Sequence, residues 1–406
     1  MVQQSATLAI NEQLRERRAA GKRVLHLAFG EAGLPVLPEV ADVLARSVDR
    51  NSYEPVTGAL DARRAGAGYF TRRGLPTEAD QLILAPGSKP LLFALLAALD
   101  GDLVLPKPAW VSYAAQAALV GKRVHGVPIA AQAGGLPDPD ALAETLRAAQ
   151  AEGARPGVLL LTTPDNPTGT IAPPELVRQV CQIAEQYGLA VVSDEIYRDL
   201  AHEGHEVHSP ALELPERTIV TAGLSKGMAL GGYRIGFARL PDSPFGQALR
   251  DKLVGIASEV WSCLPGPMQT VAEYVLSEPE PVRAHIAASV RLHQQVVRAC
   301  YAEFVAVGAS CRPPQGGFYL YPDLSAGQTS GAEALAGRLL DEHDIGVLAG
   351  TAFGDDPSAA RFRVATSLCY GETEEQRWTA LRSDDPVALP WIAESIDQLR
   401  TALRKL

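Results

Sequence analysis

Short apolar runs that alternate with helix-like stretches constrain the fold of this chain most strongly. Such runs are typical of strands that are buried on both faces of a parallel sheet. Because parallel strands need helical crossovers, the alternation predicts an α/β domain with a mainly parallel, seven-stranded, doubly wound sheet and helices on both faces. The predicted strands cover residues 82–85, 103–105, 124–128, 158–162, 190–193, 218–222 and 235–238.

A long amphipathic stretch separates this pattern from the rest of the chain. It opens at Pro279, Glu280 and Pro281 and continues through Val305, and prolines are favoured in the first turn of a helix. We predict an N-terminal arm that forms part of a small domain at residues 1–45, a large domain at 46–285 and a smaller α+β domain at 286–406. Segment 371–390 is predicted to be an insertion on the surface or near the entrance of the site.

The composition narrows the class of protein. Hydrophobic residues make up 47% of the 406 residues and charged residues 21%, as is typical of a soluble globular enzyme. The formal net charge of −10 argues against a nucleic-acid partner. No apolar stretch approaches the roughly 20 residues of a membrane span. The scattered cysteines lack Cys-x-x-Cys spacing, which predicts reduced thiols in a cytoplasm; they are Cys181, Cys263, Cys300, Cys311 and Cys369.

Three histidines recur every third residue at His202, His205 and His208. A helix would be needed to place such side chains on one face, but Gly204 and Pro210 predict a loop. We therefore predict a solvated loop here and no metal site.

Three segments supply the reactive groups. They are TPDNPTG at 163–169, VSDEIY at 192–197, and GLSK at 223–226 followed by GYRIG at 232–236. They provide the amide of Asn166, the carboxylate of Asp194 beside the phenol of Tyr197, the amine of Lys226 and the guanidinium of Arg234. Asp194 ends an apolar strand, where open α/β sheets bind ligands, and Lys226 lies among small and apolar residues. This set is what pyridoxal 5'-phosphate (PLP) requires: an amine for its aldehyde, an anion for its pyridine nitrogen and donors for its phenolic oxygen.

A phosphate site is predicted where an apolar strand passes through Gly87 into an apolar helix. That helix begins near Ser88 and Lys89, and a helix N-terminus offers free N–H groups to an anion. Arg234 adds a guanidinium whose geometry matches a phosphate.

The joined motifs are similar to those of fold-type I PLP enzymes of the class I/II aminotransferase family, and the resemblance covers most of the chain. It implies that Lys226 forms a Schiff base with PLP and later moves a proton at the substrate Cα. It implies that Asp194 contacts the pyridine nitrogen, and that Asn166 and Tyr197 contact the phenolic oxygen. An Asn-Pro turn, a strand-end aspartate and a buried tyrosine also occur as purely structural features.

Further contacts follow from the resemblance. Trp110 corresponds to the aromatic residue that stacks on the pyridine ring. Tyr53 corresponds to the tyrosine that reaches the phosphate of the neighbouring subunit, which implies a homodimer. A phosphate-binding hydroxyl of the family is replaced by Gly223 here, and either Thr221 or Ser225 would compensate for it.

Substrate recognition is predicted at the strand RFRVATS, residues 361–367. The two-residue period of a strand places Arg361 and Arg363 on one side. Similarity to the equivalent strand of the family implies that Arg361 binds the substrate α-carboxylate, and Arg363 is the next candidate. Gly30 and Asn166 are implied to lie at the same carboxylate. No second arginine motif points to a side-chain carboxylate, so the substrate side chain stays open.

The sequence leaves alternatives for the reaction. Transamination between an α-amino acid and a 2-oxo acid is the predicted activity. The alternative is a PLP-dependent lyase or cyclase that performs elimination or ring closure on an amino-acid side chain, similar to the capreomycidine synthases, in a biosynthetic pathway. A non-enzymatic regulator with an aminotransferase-like domain is opposed by the presence of Lys226, Asp194 and Arg361.

Overall fold

The protein is an α/β molecule. The structure, a computed structural model, describes residues 6–327 and 330–406, and these residues form one large sheet and two small ones. Its strands are β1 (Leu25–His26), β2 (Leu82–Ala85), β3 (Asp102–Lys107), β4 (Val124–Pro128), β5 (Pro156–Thr162), β6 (Ala190–Asp194), β7 (Thr218–Gly223), β8 (Gly236–Arg239), β9 (Tyr319–Leu320), β10 (Ile345–Gly346), β11 (Leu348–Ala349) and β12 (Phe362–Ala365). Its helices are α1 (Ala6–Ala19), α2 (Pro38–Ala45), α3 (Leu60–Thr71), α4 (Ser88–Ala98), α5 (Val111–Leu119), α6 (Pro139–Ala151), α7 (Pro174–Gln186), α8 (Pro210–Glu213), α9 (Leu224–Gly227), α10 (Pro244–Val260), α11 (Gly266–Leu276), α12 (Glu280–Ala306), α13 (Ala332–His343), α14 (Glu374–Arg382) and α15 (Pro390–Leu403).

The large sheet has seven strands in the order β2-β8-β7-β6-β5-β3-β4. The pairs β7-β6, β6-β5, β5-β3 and β3-β4 are parallel, whereas β8 runs antiparallel to both β2 and β7. The predicted seven-stranded, mainly parallel architecture is therefore confirmed, and each predicted strand is present to within a few residues at its ends.

Alternate residues of the central strands pack against helices on opposite faces of this sheet. In β6, Val191 belongs to an apolar cluster that includes side chains of α6 and α7. Its neighbour Val192 belongs to a second cluster that includes side chains of α4 and α10. Both valines are fully buried, which explains why the central strands are continuous apolar runs rather than alternating ones.

The C-terminal part of the chain forms a separate apolar cluster. There β9, β11 and β12 make a three-stranded antiparallel sheet, while β1 of the N-terminal arm pairs in parallel with β10. The cluster joins Leu25 and Leu27 to side chains of α12, α13 and α15. Helix α12 starts at the predicted proline-rich opening and ends at Ala306. The residue boundaries of the two domains stay a prediction.

Segment 371–390 differs from its prediction as a surface insertion. Nine of its residues form α14, whose N-terminus carries a capping box between Thr373 and Gln376. Ala380 and Leu381 of this helix are buried in the C-terminal cluster. A buried apolar face holds the segment against α12, and only its outer face meets solvent.

The histidine-rich segment is also less exposed than predicted. His202 is 1% exposed, with its Nε2 at 2.9 Å from the Gly317 carbonyl oxygen, so the prediction of a solvated loop is wrong at this residue. His208 bonds instead to Glu213 at 2.6 Å. All five cysteines are unpaired. Within residues 6–327 and 330–406, no helix has both the length and the apolar character that crossing a bilayer requires.

Candidate active site

A cavity of about 490 Å³ opens at the carboxyl ends of β5, β6 and β7. The N-terminus of α4, the turn after β5, helix α9 and strands β9 and β12 complete its wall. Ten of the site residues predicted from the motifs, the helix N-terminus and the family resemblance line it, which brings segments from most of the chain to one place. They are Gly30, Ser88, Lys89, Trp110, Asn166, Asp194, Tyr197, Ser225, Lys226 and Arg234.

The Asp194 carboxylate is the buried anion of the cavity, with 2% exposure. In the sheet it lies opposite Thr162 of β5 and Thr221 of β7. It accepts hydrogen bonds from the Tyr113 hydroxyl at 2.8 Å and from Thr221 Oγ1 at 3.1 Å. Burial raises the pKa of Asp194 to about 6, opposed by these two hydrogen bonds.

Lys226 lies in α9, directly after β7, and its Nζ donates to the carbonyl oxygen of Gly30. Burial lowers the pKa of this amine to about 8, and the positive charge of Arg363 acts in the same direction. A lysine with this pKa is neutral and nucleophilic in a far larger fraction near neutral pH than a solvated lysine.

Cationic groups gather at the N-terminus of α4. Gly87 precedes this helix with a φ of 101°, and a Cβ at this position would overlap the Arg234 guanidinium. Arg234 donates to the Gly231 carbonyl at 2.9 Å through Nη1. The Lys89 ammonium lies 5.1 Å from the centre of the Trp110 ring. Burial lowers the pKa of Lys89, and Arg234 adds to that effect.

The structure distinguishes the two residues proposed to replace the hydroxyl missing at Gly223. Thr221 is fully buried and donates its hydroxyl to Asp194, whereas Ser225 lines the cavity. A Cβ at Gly223 would make a tight contact of 3.0 Å with the Ile235 carbonyl oxygen. Ser225 is the remaining candidate for the phosphate contact.

The assignment of the substrate arginine to Arg361 needs correction, because the structure places Arg363 in the cavity. Arg363 is 1% exposed and donates to Asn166 Oδ1 at 3.0 Å and to the Ala28 carbonyl oxygen at 2.6 Å. Two residues along a strand span about 7 Å, and this step takes Arg361 out of the cavity. Its guanidinium pairs with Asp323 at 2.7 Å and Asp355 at 3.1 Å, and its side chain is 38% exposed.

Tyr53 also lies outside the cavity of its own chain. Its side chain is 90% exposed, which makes it one of the most exposed large apolar side chains of the protein. An aromatic ring in that position is available to a second subunit, and its contact with a neighbouring phosphate stays a prediction.

Comparison with known proteins identifies the family of this fold and site. The family model described as aminotransferase class I and II matches residues 22–375. Over 388 residues the chain is 31% identical to an aspartate aminotransferase of Geobacillus stearothermophilus, covering 92% of this chain and 95% of that protein. It is 30% identical over 374 residues to a probable aspartate/prephenate aminotransferase of Thermus aquaticus, covering 91% and 93%. The chain belongs to the class I and II aminotransferase family.

A solved structure supports the same conclusion for the fold. The aspartate aminotransferase of Thermus thermophilus with maleate matches with a TM-score of 0.82 and 28% identity, covering 94% of this chain and 96% of that one. The protein is thus a fold-type I, PLP-dependent aminotransferase. The alternative of a lyase or cyclase is not favoured, since the relatives named above are aminotransferases.

The residues of this aminotransferase fit its cofactor. A buried carboxylate lies at the floor of the cavity, the Lys226 amine lies in its wall, and Arg234 stands beside the free N–H groups of α4. Gly87 leaves the space that brings Arg234 against the helix N-terminus. These groups would offer each polar group of PLP a partner of opposite charge or matching hydrogen-bonding character.

Sequence reasoning missed several cavity residues of the aminotransferase, among them Tyr113, Tyr319 and Arg15. Tyr113 lies three residues after Trp110, inside α5, and its spacing from Asp194 gives no sign of their hydrogen bond. Tyr319 follows Phe318 in an apolar strand and looks like a core residue. Arg15 lies in an arginine-rich polar helix, where one arginine among several carries no distinguishing signal.

Proposed function

We propose that this aminotransferase exchanges an amino group between an acidic α-amino acid and a 2-oxo acid, with PLP held at Lys226. When bound, PLP supplies an electron sink that stabilises the substrate after its Cα proton is removed. The observation that carries the proposed substrate class is that two guanidinium groups besides Arg234, those of Arg363 and Arg15, line the cavity.

The cofactor would be held by residues from several elements. Asp194 would keep the pyridine nitrogen protonated, and its carboxylate is oriented for this by two hydroxyl donors. Asn166 and Tyr197 would donate to the phenolic oxygen, and Trp110 would cover the ring. Gly87, Ser88, Lys89, Ser225 and Arg234 would surround the phosphate.

Lys226 would hold the cofactor aldehyde and then act as the base at the substrate Cα. A single amine suits both tasks only if it loses its proton readily, and its lowered pKa supports this. Its bond to the Gly30 carbonyl keeps the amine on the side of the cavity where Arg363 lies. Arg363 would orient the α-carboxylate in a two-bond fork, so that the Cα–H bond faces the amine.

Arg15 supports an acidic substrate. The neighbouring arginines of α1 are engaged: Arg17 pairs with Asp341 at 2.5 Å, and Arg18 donates to the Val24 carbonyl at 3.1 Å. Arg15 has no hydrogen bond or ion pair with the residues of 6–327 and 330–406, yet it lines the cavity. Relatives described as aspartate aminotransferases act on a dicarboxylic amino acid, and a distal carboxylate would give Arg15 a partner.

We also propose that the enzyme is a cytoplasmic homodimer that functions in amino-acid biosynthesis. The exposed Tyr53 side chain supports a subunit contact, and the five unpaired cysteines suit a reducing compartment.

A half-reaction screen tests the proposed function. The purified, PLP-loaded protein is mixed with one amino donor and no acceptor, and conversion of the cofactor to its pyridoxamine form is followed by absorbance. Aspartate and glutamate should convert the cofactor fastest, and release of the matching 2-oxo acid should equal the cofactor converted. Glu31 also lines the cavity and would favour a basic side chain. Faster conversion by lysine or arginine than by aspartate or glutamate would therefore contradict the proposed acidic substrate. Release of ammonia would contradict transamination.

A further inference from the structure

We propose that Tyr319 is a positioning residue: its hydroxyl donates to the phenolic oxygen of Tyr197 and thereby directs the Tyr197 proton toward the cofactor. This inference rests on the proposed function, in which Tyr197 donates to the phenolic oxygen of PLP. It adds a second phenol, from β9, to the hydrogen bonds that tune the cofactor.

The two phenols form a buried pair that faces the cavity. Their hydroxyl oxygens lie 2.7 Å apart, and their ring centres lie 5.4 Å apart at an interplanar angle of 78°. Tyr197 is 4% exposed and Tyr319 is 1% exposed, and both line the cavity. Within the described part of the chain, neither hydroxyl bonds to any other group.

The backbone around the pair is shaped to admit the second hydroxyl. A Cβ at Gly30 would overlap the Tyr319 hydroxyl oxygen. The position of Tyr319 therefore accounts for a glycine at residue 30. Antiparallel pairing of Tyr319 with Ala365 fixes the backbone at one end of this side chain. At the other end, the hydroxyl occupies the space next to Gly30.

The single proton of each phenol decides which of the two is the donor once the cofactor is bound. Each hydroxyl can donate only one hydrogen bond, so a Tyr197 that donates to the cofactor leaves Tyr319 as the donor of the pair. The Arg363 guanidinium carbon lies 4.9 Å from the centre of the Tyr319 ring. Burial raises the pKa of both phenols, and Arg363 opposes this increase at each of them. Each phenol thus keeps its single proton at neutral pH.

A phenol that accepts one hydrogen bond becomes a stronger donor in the next, because hydrogen bonds in a chain polarise one another. With Tyr319 donating to its oxygen, Tyr197 has its only proton free for the cofactor. In the loaded enzyme, a strong donor from Tyr197 to the phenolic oxygen of the cofactor would stabilise negative charge there and favour loss of the proton on the Lys226 nitrogen. The visible absorbance of the loaded enzyme reports that proton.

The test is a pH titration of this absorbance in the wild type, Tyr319→Phe, Tyr197→Phe and the double variant. Tyr319→Phe should move the titration midpoint upward by about 0.4 to 1 pH unit, the equivalent of one neutral hydrogen bond. Tyr197→Phe should move it at least as far. The double variant should match Tyr197→Phe alone, because Tyr319 acts through Tyr197. A midpoint unchanged in Tyr319→Phe, or additive effects in the double variant, would overturn the proposal.

Tyr370→Phe is the matched control. Tyr370 is fully buried, and its hydroxyl bonds to His293 Nδ1 at 2.6 Å, away from the cavity. This variant should lose a comparable hydrogen bond and keep the wild-type midpoint. If its midpoint changed as much as that of Tyr319→Phe, the Tyr319 effect would be due to altered packing and the proposal would be rejected. Failure of this proposal can be told apart from failure of the proposed function. If the wild type showed no titrating visible band, PLP binding at Lys226 itself would be refuted, whereas an unchanged midpoint in Tyr319→Phe would refute only the role of Tyr319.

Discussion

The guanidinium of Arg363, on β12, donates a hydrogen bond of 3.0 Å to the side-chain oxygen of Asn166, in the turn after β5. This bond connects the C-terminal sheet to the large sheet at the cavity. It leaves the Nε of Arg363 buried without a partner among the described residues. A substrate carboxylate would accept a hydrogen bond from that donor. Because Arg363 also donates to Asn166, this contact would connect the substrate to a residue proposed to bind the cofactor.

Replacement of the two arginines should separate their roles. Arg363→Lys keeps the charge but loses the planar fork, so kcat/KM should fall roughly ten- to a hundredfold or more, since a hydrogen bond to a charged group contributes about 1.5–3 kcal/mol. Arg361→Lys should stay close to wild type, because Asp323 and Asp355 also accept from an ammonium group. Steady-state kinetics with one good donor measure both variants, and the reverse ranking would restore Arg361 as the substrate residue.

The move of the substrate arginine from Arg361 to Arg363 shows what the sequence alone could not predict. The apolar runs and the three motifs were sufficient to predict the large sheet, and ten predicted residues meet in one cavity. A strand period fixes only which residues share a face, so it could not decide between Arg361 and Arg363. The choice depends on where β12 begins relative to β9 and β11, and antiparallel pairing between distant segments sets that register. Tyr113 was missed for the same reason, because its partner Asp194 lies 81 residues away.

Loss of the Tyr113 hydroxyl should weaken cofactor binding, most strongly at low pH. Tyr113→Phe removes a donor that holds down the pKa of Asp194, so this carboxyl should protonate at a higher pH than its present value of about 6. The affinity for PLP should fall about tenfold or more, with a larger loss at pH 6 than at pH 8. Titration of the PLP-free protein with PLP at both pH values measures this.

The matched control is Tyr321→Phe. Its hydroxyl also donates to a carboxylate, that of Asp355, at 2.8 Å, but neither residue lines the cavity. PLP affinity in this variant should equal that of the wild type. A pH-independent loss in Tyr113→Phe would indicate a packing defect and not a change at Asp194.

The pKa of Lys226 predicts how the PLP-free protein takes up its cofactor. Only the neutral amine attacks an aldehyde, and the neutral fraction rises as pH increases through the lowered pKa of about 8. The rate at which the visible band appears after PLP is added should therefore increase with pH and level off above this midpoint. Lys226→Ala should show no band. A rate that keeps rising toward pH 10 would mean that the amine is not perturbed.

Replacement of Arg15 should lower kcat/KM for acidic amino donors only. Arg15→Gln is expected to lower kcat/KM for aspartate or glutamate by about two- to fivefold, because an exposed ion pair contributes up to about 1 kcal/mol, and to leave alanine unchanged. High salt should shrink the difference, and Arg15→Lys should recover most of it. Equal losses for acidic and neutral donors would assign Arg15 to the structure of α1 instead.

Subunit mixing tests whether Tyr53 acts across a dimer. Tyr53→Phe should lower the affinity for PLP, and Lys226→Ala should abolish turnover. If Tyr53 completes the neighbouring site, a mixed dimer has one site with an intact Lys226 from one subunit and an intact Tyr53 from the other. After equal amounts of the two variants exchange subunits, about a quarter of all sites should regain wild-type cofactor affinity. Activity at limiting PLP should then exceed that of either variant alone. If Tyr53 serves its own subunit, each mixed dimer retains only a Tyr53→Phe site and a dead site, and mixing restores nothing.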